Sequence, residues 1–340
     1  MKTNRVLGLV TACTLLAGVA LALDFEPVET FPPPAEGFSL VGVDALANGS
    51  LVVYDGAAVY LQDAAGAFDA LAGGYPAAAP GIIGQAGFVA ARGAEALVGA
   101  ASGSMWLFDC SEESPVGTAV GAEVEGLVAG EYVSDNEILV SVSTETVNEV
   151  GLVSFNTDPL GAYTKVIELT ADNAPRGIVC VDDAVYVGTA AGNIAKFSVE
   201  ELIAAAAPED EVSVKAALTW ADGDAFDGDY GVFGPASATV AKNLLVGGLD
   251  GFQVVNGDGE VLDTIDVIAD VLNVPIYNPA TKKILVAGAN DEAGNPVVAQ
   301  QTTAAFQDPE EVAPWWQNLL RIVALVGGFM MLLFLILGPL

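Results

Sequence analysis

One pattern recurs along this chain and limits what it can fold into. An apolar run of about five residues is followed by a small turn and then a second apolar run. It reads LVVYDGAAVYLQD from Leu51, ALVGAASGSMWLFD from Ala96, VYVGTAAGNIAKFS from Val185 and LLVGGLDGFQVVNG from Leu244. Two copies carry longer turns, ILVSVSTETVNEVGLVSFN from Ile138 and ILVAGANDEAGNPVVAQQT from Ile284. The turn glycines Gly56, Gly103, Gly192, Gly251 and Gly294, with one further copy between Gly103 and Gly192, set a period of about 48 residues. A repeat of ~40–50 residues with several strands in each unit is the mark of a propeller blade.

Each copy has a strand-like segment ahead of it: FSLVGVDAL, AGFVAARG, LVAGEYVS, RGIVCVDD, ASATVAKN and NVPIYNPA. These are small, β-branched and apolar, as suits inner strands crowded near a propeller axis. Polar turns such as Asn48-Gly49, Asp182-Asp183 and Lys242-Asn243 join them to the next strand. Fourth strands are expected at 67–71, 118–124, 164–169, 212–218 and 260–265. The sixth unit lacks one, and the segment Phe25–Phe31 is expected to fill that place and close the ring. Closure removes exposed sheet edges. The fold class expected is therefore all-β, a propeller of about six four-stranded blades closed by an N-terminal strand. One helix is expected in the body, over Val199–Ala207, where VEELIAAAA has high helix propensity and Pro208 ends the run.

The strand pair VYVGTAAGNIAKF resembles the repeat of pyrroloquinoline-quinone-type (WD40/YVTN-like) propellers, and ALVGAASGSMWLFD and LLVGGLDGFQVV are similar to it. The resemblance covers two of four strands in each unit. It implies a propeller, of the kind that serves quinone-dependent dehydrogenases, envelope-assembly scaffolds and other exported proteins. The dehydrogenases are eight-bladed, with an acidic metal-ligand set and adjacent cysteines. This chain has about six units, no adjacent cysteines, and Trp only at 106, 220, 315 and 316. The resemblance thus implies a fold and carries no activity across.

The two ends suggest export and anchoring. Lys2 and Arg5 precede an apolar stretch, Val6–Leu21, and Ala20-Leu21-Ala22 has the small-x-small pattern of a cleavage site. Residues 1–22 are read as a signal peptide, in preference to an uncleaved helix or lipidation at Cys13. The propeller is then assigned to residues 24–306, a linker to 307–313 and a transmembrane anchor to 314–340. From Leu319 to Leu337 the sole charge is Arg321. As a helix that run spans ~28 Å, about the hydrocarbon thickness of a bilayer. Trp315 and Trp316 stand where amphipathic rings favour the headgroup layer. Arg321 is placed to snorkel to the interface. Gly327 and Gly328 would permit close approach of another helix. The body is accordingly expected on the periplasmic or extracellular side.

Charge narrows the function. Against 11 Lys and Arg stand 44 Asp and Glu, and there is no His. Such a balance repels phosphate backbones and anionic headgroups, so nucleic acid is excluded as a partner. Scattered acids suit a halophilic-type surface, hydrated by carboxylates and screened by salt. Without His, a Ser-His or Cys-His catalytic arrangement is impossible. Zinc and copper sites of the usual kinds are excluded as well. Cys110 and Cys180 lie in apolar strand-like runs and are expected to pack as small thiols rather than form a disulfide. Trp106 and Trp220 are read as packing residues, with a sugar site as the alternative.

One acidic constellation suggests a cation. In ADGDAFDGDYG, Asp222, Asp224, Asp227 and Asp229 alternate with small residues, so several carboxylates could turn toward one Ca2+. Phe226 stands where a standard loop has its third ligand. No other cofactor is expected, and no catalytic residue is assigned. These features point to a non-enzymatic scaffold or accessory subunit of a membrane or envelope complex. A small-ligand or sugar-binding module is the alternative, and a carboxylate-dependent hydrolase stands last. Calcium at 222–229 predicts that chelation lowers the melting temperature; a melting curve unmoved by chelator would remove the site.

Overall fold

A computed structural model of the protein describes residues 40–72, 87–121, 124–156, 161–169, 174–181, 183–189, 193–205, 219–222, 243–248, 251–255, 261–267, 272–278, 280–281, 283–289 and 299–301. These form a β-propeller. The strands group into six antiparallel sheets, each built by consecutive strands. The first contains β1 (Gly42–Ala45), β2 (Leu51–Tyr54), β3 (Val59–Gln62) and β4 (Phe68–Ala70). The second contains β5 (Gly87–Arg92), β6 (Glu95–Ala100), β7 (Met105–Asp109) and β8 (Thr118–Val120). The third contains β9 (Leu127–Ser134), β10 (Glu137–Ser143), β11 (Asn148–Ser154) and β12 (Ala162–Glu168). The fourth contains β13 (Pro175–Val181), β14 (Ala184–Thr189), β15 (Asn193–Ser198) and β16 (Thr219–Asp222).

The fifth and sixth sheets show three strands each among the described residues. The fifth holds β17 (Leu244–Gly247), β18 (Gly251–Val255) and β19 (Val261–Asp266). Its expected inner strand, ASATVAKN, lies almost wholly outside the described residues. The sixth holds β20 (Leu272–Asn278), β21 (Lys283–Ala289) and β22 (Ala299–Gln301). The closing segment 25–31, the leader 1–22 and the anchor 314–340 also lie outside the described residues. Among the described residues, no helix is long and apolar enough to cross a membrane. The helix α1 (Val199–Ala205) leaves the fourth sheet between β15 and β16 and buries Leu202.

One sequence expectation needs correction, and another falls outside the described residues. Among the described residues the fourth strand of the fourth sheet is β16 at 219–222; the expected segment 212–218 lies outside them. Pairing to β15 selects TWAD, whose Ala221 faces Ile194 and whose Asp222 faces Asn193. The apolar alternation of VSVKAAL marked a β-prone segment and could not say which segment β15 would pair with. Gly251 is also not a turn glycine: it opens β18, where a Cβ would meet the Ile265 carbonyl. Gly56 and Gly103 do sit in turns, with φ of 89° and 97°. In the first of these, the Asp55 carboxylate accepts the N–H groups of Ala57 and Ala58 at 2.7 and 2.6 Å, a side-chain closure of the hairpin.

The core lies between sheets. Val52, Tyr54 and Val59 of the first sheet meet Val89, Val98, Trp106 and Phe108 of the second in one buried cluster. Similar clusters join the second sheet to the third, the third to the fourth and the fourth to the fifth. The second strands are buried on both faces, hence the near-continuous apolar runs LVVY, ALVGA and LLVG. The first strands of successive sheets abut: β1 packs on β5, β5 on β9, and β9 on β13. β20 packs on β1 in turn, so the sixth sheet returns to the first. There the buried Asn278 donates Nδ2–H to the Gly49 carbonyl at 2.9 Å, while its Oδ1 accepts from the N–H groups of Ala280 and Thr281.

Phe88 shows how tightly the seams fit. Its ring occupies the space that a Cβ would need on Gly99 of β6 and on Gly130 of β9. Gly130→Ala is therefore expected to destabilise the fold by ~1–3 kcal/mol in denaturant unfolding. Adding Phe88→Leu should recover part of that loss in a double-mutant cycle, because the collision is with that ring.

Candidate functional site

The innermost strands carry two acids in otherwise apolar surroundings. Asp44 sits in β1 between Val43 and Ala45, and Glu131 sits in β9 between Gly130 and Tyr132. Both side chains are half-buried. Asp44 Oδ1 accepts the N–H of Ala45 at 2.7 Å. Its Oδ2 reaches the following sheet and accepts the N–H of Ala91 in β5, also at 2.7 Å. Two interfaces further on, Glu131 of the third sheet lies against the backbone N–H of Cys180 in β13 of the fourth, which favours its charged form. Asp44 thus satisfies an amide on the first strand of the next sheet.

Electrostatics tie the two acids together. Burial pushes the Asp44 carboxyl up to about 6, against the lowering effect of its two amide bonds. Burial also pushes Glu131 well above the usual carboxylate range, and the Asp44 charge adds to the rise. The like-charge repulsion falls on Glu131, so Asp44 ionises first and Glu131 keeps its proton longer. Burial and the neighbouring Glu131 push the Cys180 thiol far up, which makes it inert as a nucleophile. Cys110 is raised to about 11 by burial and by Asp109. Both cysteines are free thiols, as the sequence led us to expect.

Beside this pair lies a cationic tie between the second and third sheets. Arg92, at the end of β5, pairs with Glu95 at 2.6 Å and donates Nη1–H to the Ser134 carbonyl at 3.0 Å. Its guanidinium stacks 4.5 Å from the centre of the Tyr132 ring. Planarity suits it to hold all three partners together.

The residues singled out by sequence fall elsewhere. Trp106 is 7% exposed in the seam between the first and second sheets, which makes it a packing residue. Trp220 and Asp222 lie in β16. Asp224, Asp227 and Asp229 lie outside the described residues, as do Trp315, Trp316, Arg321, Gly327 and Gly328. Among the described residues, no three Cys, Asp or Glu side chains gather to hold a metal ion. Sequence reasoning passed over Asp44 and Glu131 because it treated FSLVGVDAL and LVAGEYVS as apolar strands. The available signal was an acid in the middle of an inner-strand run, a position where an unpaired charge is costly.

No family model matches this chain, and no curated protein matches its sequence. Solved structures do match its fold. A protein described as a candidate gluconolactonase is 10% identical, with 84% of this chain and 97% of that one covered at a TM-score of 0.54. The Cps50 (Swd1) β-propeller domain of Myceliophteria thermophila is 11% identical over 82% of this chain and all of that domain, at a TM-score of 0.49. At such identities the likeness concerns fold alone.

Asp44 makes folding pH-dependent in a defined direction. Its folded-state value near 6 exceeds the ordinary 3.8, so the folded ring binds this proton more tightly than the unfolded chain does. The resulting stability is complete below about pH 4 and is lost as pH rises through about 6. Two units correspond to ~3 kcal/mol. The stability difference between wild type and Asp44→Asn, followed by denaturant unfolding, should therefore shift by up to ~3 kcal/mol in favour of the variant as pH rises from about 4 to about 7. A constant difference would show that Asp44 is not so buried.

Proposed function

We propose that this protein is a non-enzymatic scaffold or accessory subunit of a membrane or envelope complex. In this reading the propeller has six four-stranded blades closed by residues 25–31, and the run Leu319–Leu337 holds it at the exported face of a membrane. The observation that carries the reading is the use made of Asp44 and Glu131. They are acids near the ring's centre, and both meet backbone amides of adjacent sheets. Acids committed in this way hold the ring together, which leaves the rim and loops to make contacts. Tethering raises the effective concentration of any partner in the same bilayer, so modest contacts suffice.

A hydrolase is the second reading, and one observation favours it. A protonated carboxyl beside an ionised one can serve as an acid–base pair. The candidate gluconolactonase with this fold makes lactone hydrolysis the activity to assay first.

The test is native co-purification of the full chain from detergent-solubilised membranes, followed by quantitative mass spectrometry. The scaffold reading expects a membrane protein recovered in fixed stoichiometry. It fails if the chain elutes alone from every mild detergent, or if the intact polypeptide fractionates as a soluble protein. Lactonase activity abolished by Glu131→Gln, with the fold intact by circular dichroism, would establish the second reading instead.

A further inference from the structure

The turn between β1 and β2 can do more than reverse the chain. It reads Leu46-Ala47-Asn48-Gly49-Ser50. Asn48 has Ser two residues on, with Gly rather than Pro between, which is the sequence requirement for N-linked glycosylation. No other asparagine in the sequence has Ser or Thr at that spacing. We propose that Asn48 is a glycan acceptor, whose side-chain amide carries an oligosaccharide added at the exported face of the membrane.

The turn presents this amide to water. Gly49 donates its N–H to the Leu46 carbonyl at 2.8 Å, and Leu46 donates its own to the Ser50 carbonyl at 2.9 Å. Gly49 takes a φ of 90°, which lets the hairpin close. The backbone is docked on either side of Asn48. Ala47 donates its N–H to the Gly93 carbonyl, between β5 and β6, at 2.8 Å. The Gly49 carbonyl receives Asn278 Nδ2–H from the sixth sheet at 2.9 Å. Between these two ties the Asn48 side chain is exposed. A bulky, hydrated glycan is tolerated at such a place.

The two polar atoms of Asn48 have separate duties. Its Oδ1 accepts the Ser50 N–H at 2.9 Å, closing an Asx turn. Its Nδ2 is not used by the turn, so a sugar there leaves every one of these bonds in place. Asn278 is the contrast: its Nδ2 is given to Gly49 and its Oδ1 to Ala280 and Thr281. Turn formation alone accounts for Asn48 and Gly49, because Asn-Gly favours hairpins. It does not account for Ser50, of which the turn uses only the backbone. Deamidation, the other chemistry of an Asn-Gly pair, needs the Gly49 nitrogen to attack the Asn48 side-chain carbonyl. That nitrogen is engaged with Leu46.

The transfer is a simple substitution. Nδ2 attacks the anomeric carbon of a polyprenyl-phosphate-linked sugar, and a carbon–nitrogen bond forms as the bond from that carbon to the phosphate oxygen breaks. The lipid phosphate leaves with the electron pair, and Nδ2 loses one proton to water. Modification rests on the export proposed above, because the donor is met outside the cytoplasm. The glycan would shield the end of the ring where the β1–β2 turn meets Gly93 and Asn278.

Mass spectrometry of the full chain, purified from its own membranes, tests this. The peptide containing Asn48 should carry a mass increment equal to a whole number of sugar residues. Ser50→Ala keeps the backbone bonds of the turn and should lose the increment entirely, as should Asn48→Gln. Ser50→Thr should retain it. The same digests report the mature N-terminus, so export is scored separately. A chain that has lost residues 1–22 and carries a bare Asn48 overturns the glycan and leaves export standing. A chain that keeps residues 1–22 and fractionates away from membranes overturns both. An Asn48 peptide with only the small mass gain of deamidation, or an increment that survives in Ser50→Ala, also overturns the proposal.

Discussion

Everything in this ring depends on how closely the first strands of neighbouring sheets approach. At Gly42 a Cβ would collide with the backbone of Phe88 and Val89. Gly130 leaves no room beside the Phe88 ring. Such proximity is available only to residues without side chains at the point of contact. Close packing here brings the edges of first strands together, and that creates a second demand. Amides pointing out of the sheet must find acceptors within the protein.

Asp44 and Glu131 meet that demand, and a strongly acidic chain supplies them readily. Most acids among the described residues are exposed, where their charge is cheap to hold, whereas these two are half-buried on inner strands. Both lie against edge amides, while burial raises their proton affinity and couples one to the other. One arrangement therefore closes sheet edges and builds a titrating centre. A carboxamide could accept the same amide bond without the charge. The choice of acid is what makes the ring's stability depend on pH.

Much of the architecture was legible in the residues, for physical reasons. Side chains alternate every second residue along a strand, so apolar runs broken by Asn48-Gly49 or Asp55-Gly56 announce hairpins before any contact is known. LVAGEYVS marks β9 from its first residue to its last, and VEELIAAAA marks α1 to within two residues. Pairing partners were less legible. β16 could not be located from propensity, because an apolar alternation exists at 212–218 and the partner β15 lies across the helix. The candidate site was hidden for a similar reason. Asp44 and Glu131 are far apart in the chain, and each looks like an ordinary interruption of an apolar run.

By itself, the sequence determined the repeat of about 48 residues, the all-β class, the hairpin turns and the exclusion of histidine chemistry. These follow from composition and from local periodicity, which need no knowledge of distant contacts. Tertiary structure decided which glycines admit a neighbouring backbone, that Trp106 is core, and that Asn278 reaches back to Gly49. It also decided that two acids of the inner strands share one electrostatic environment. Those outcomes depend on burial and on distances between residues remote in the chain, quantities that arise only when the sheets are brought round to meet.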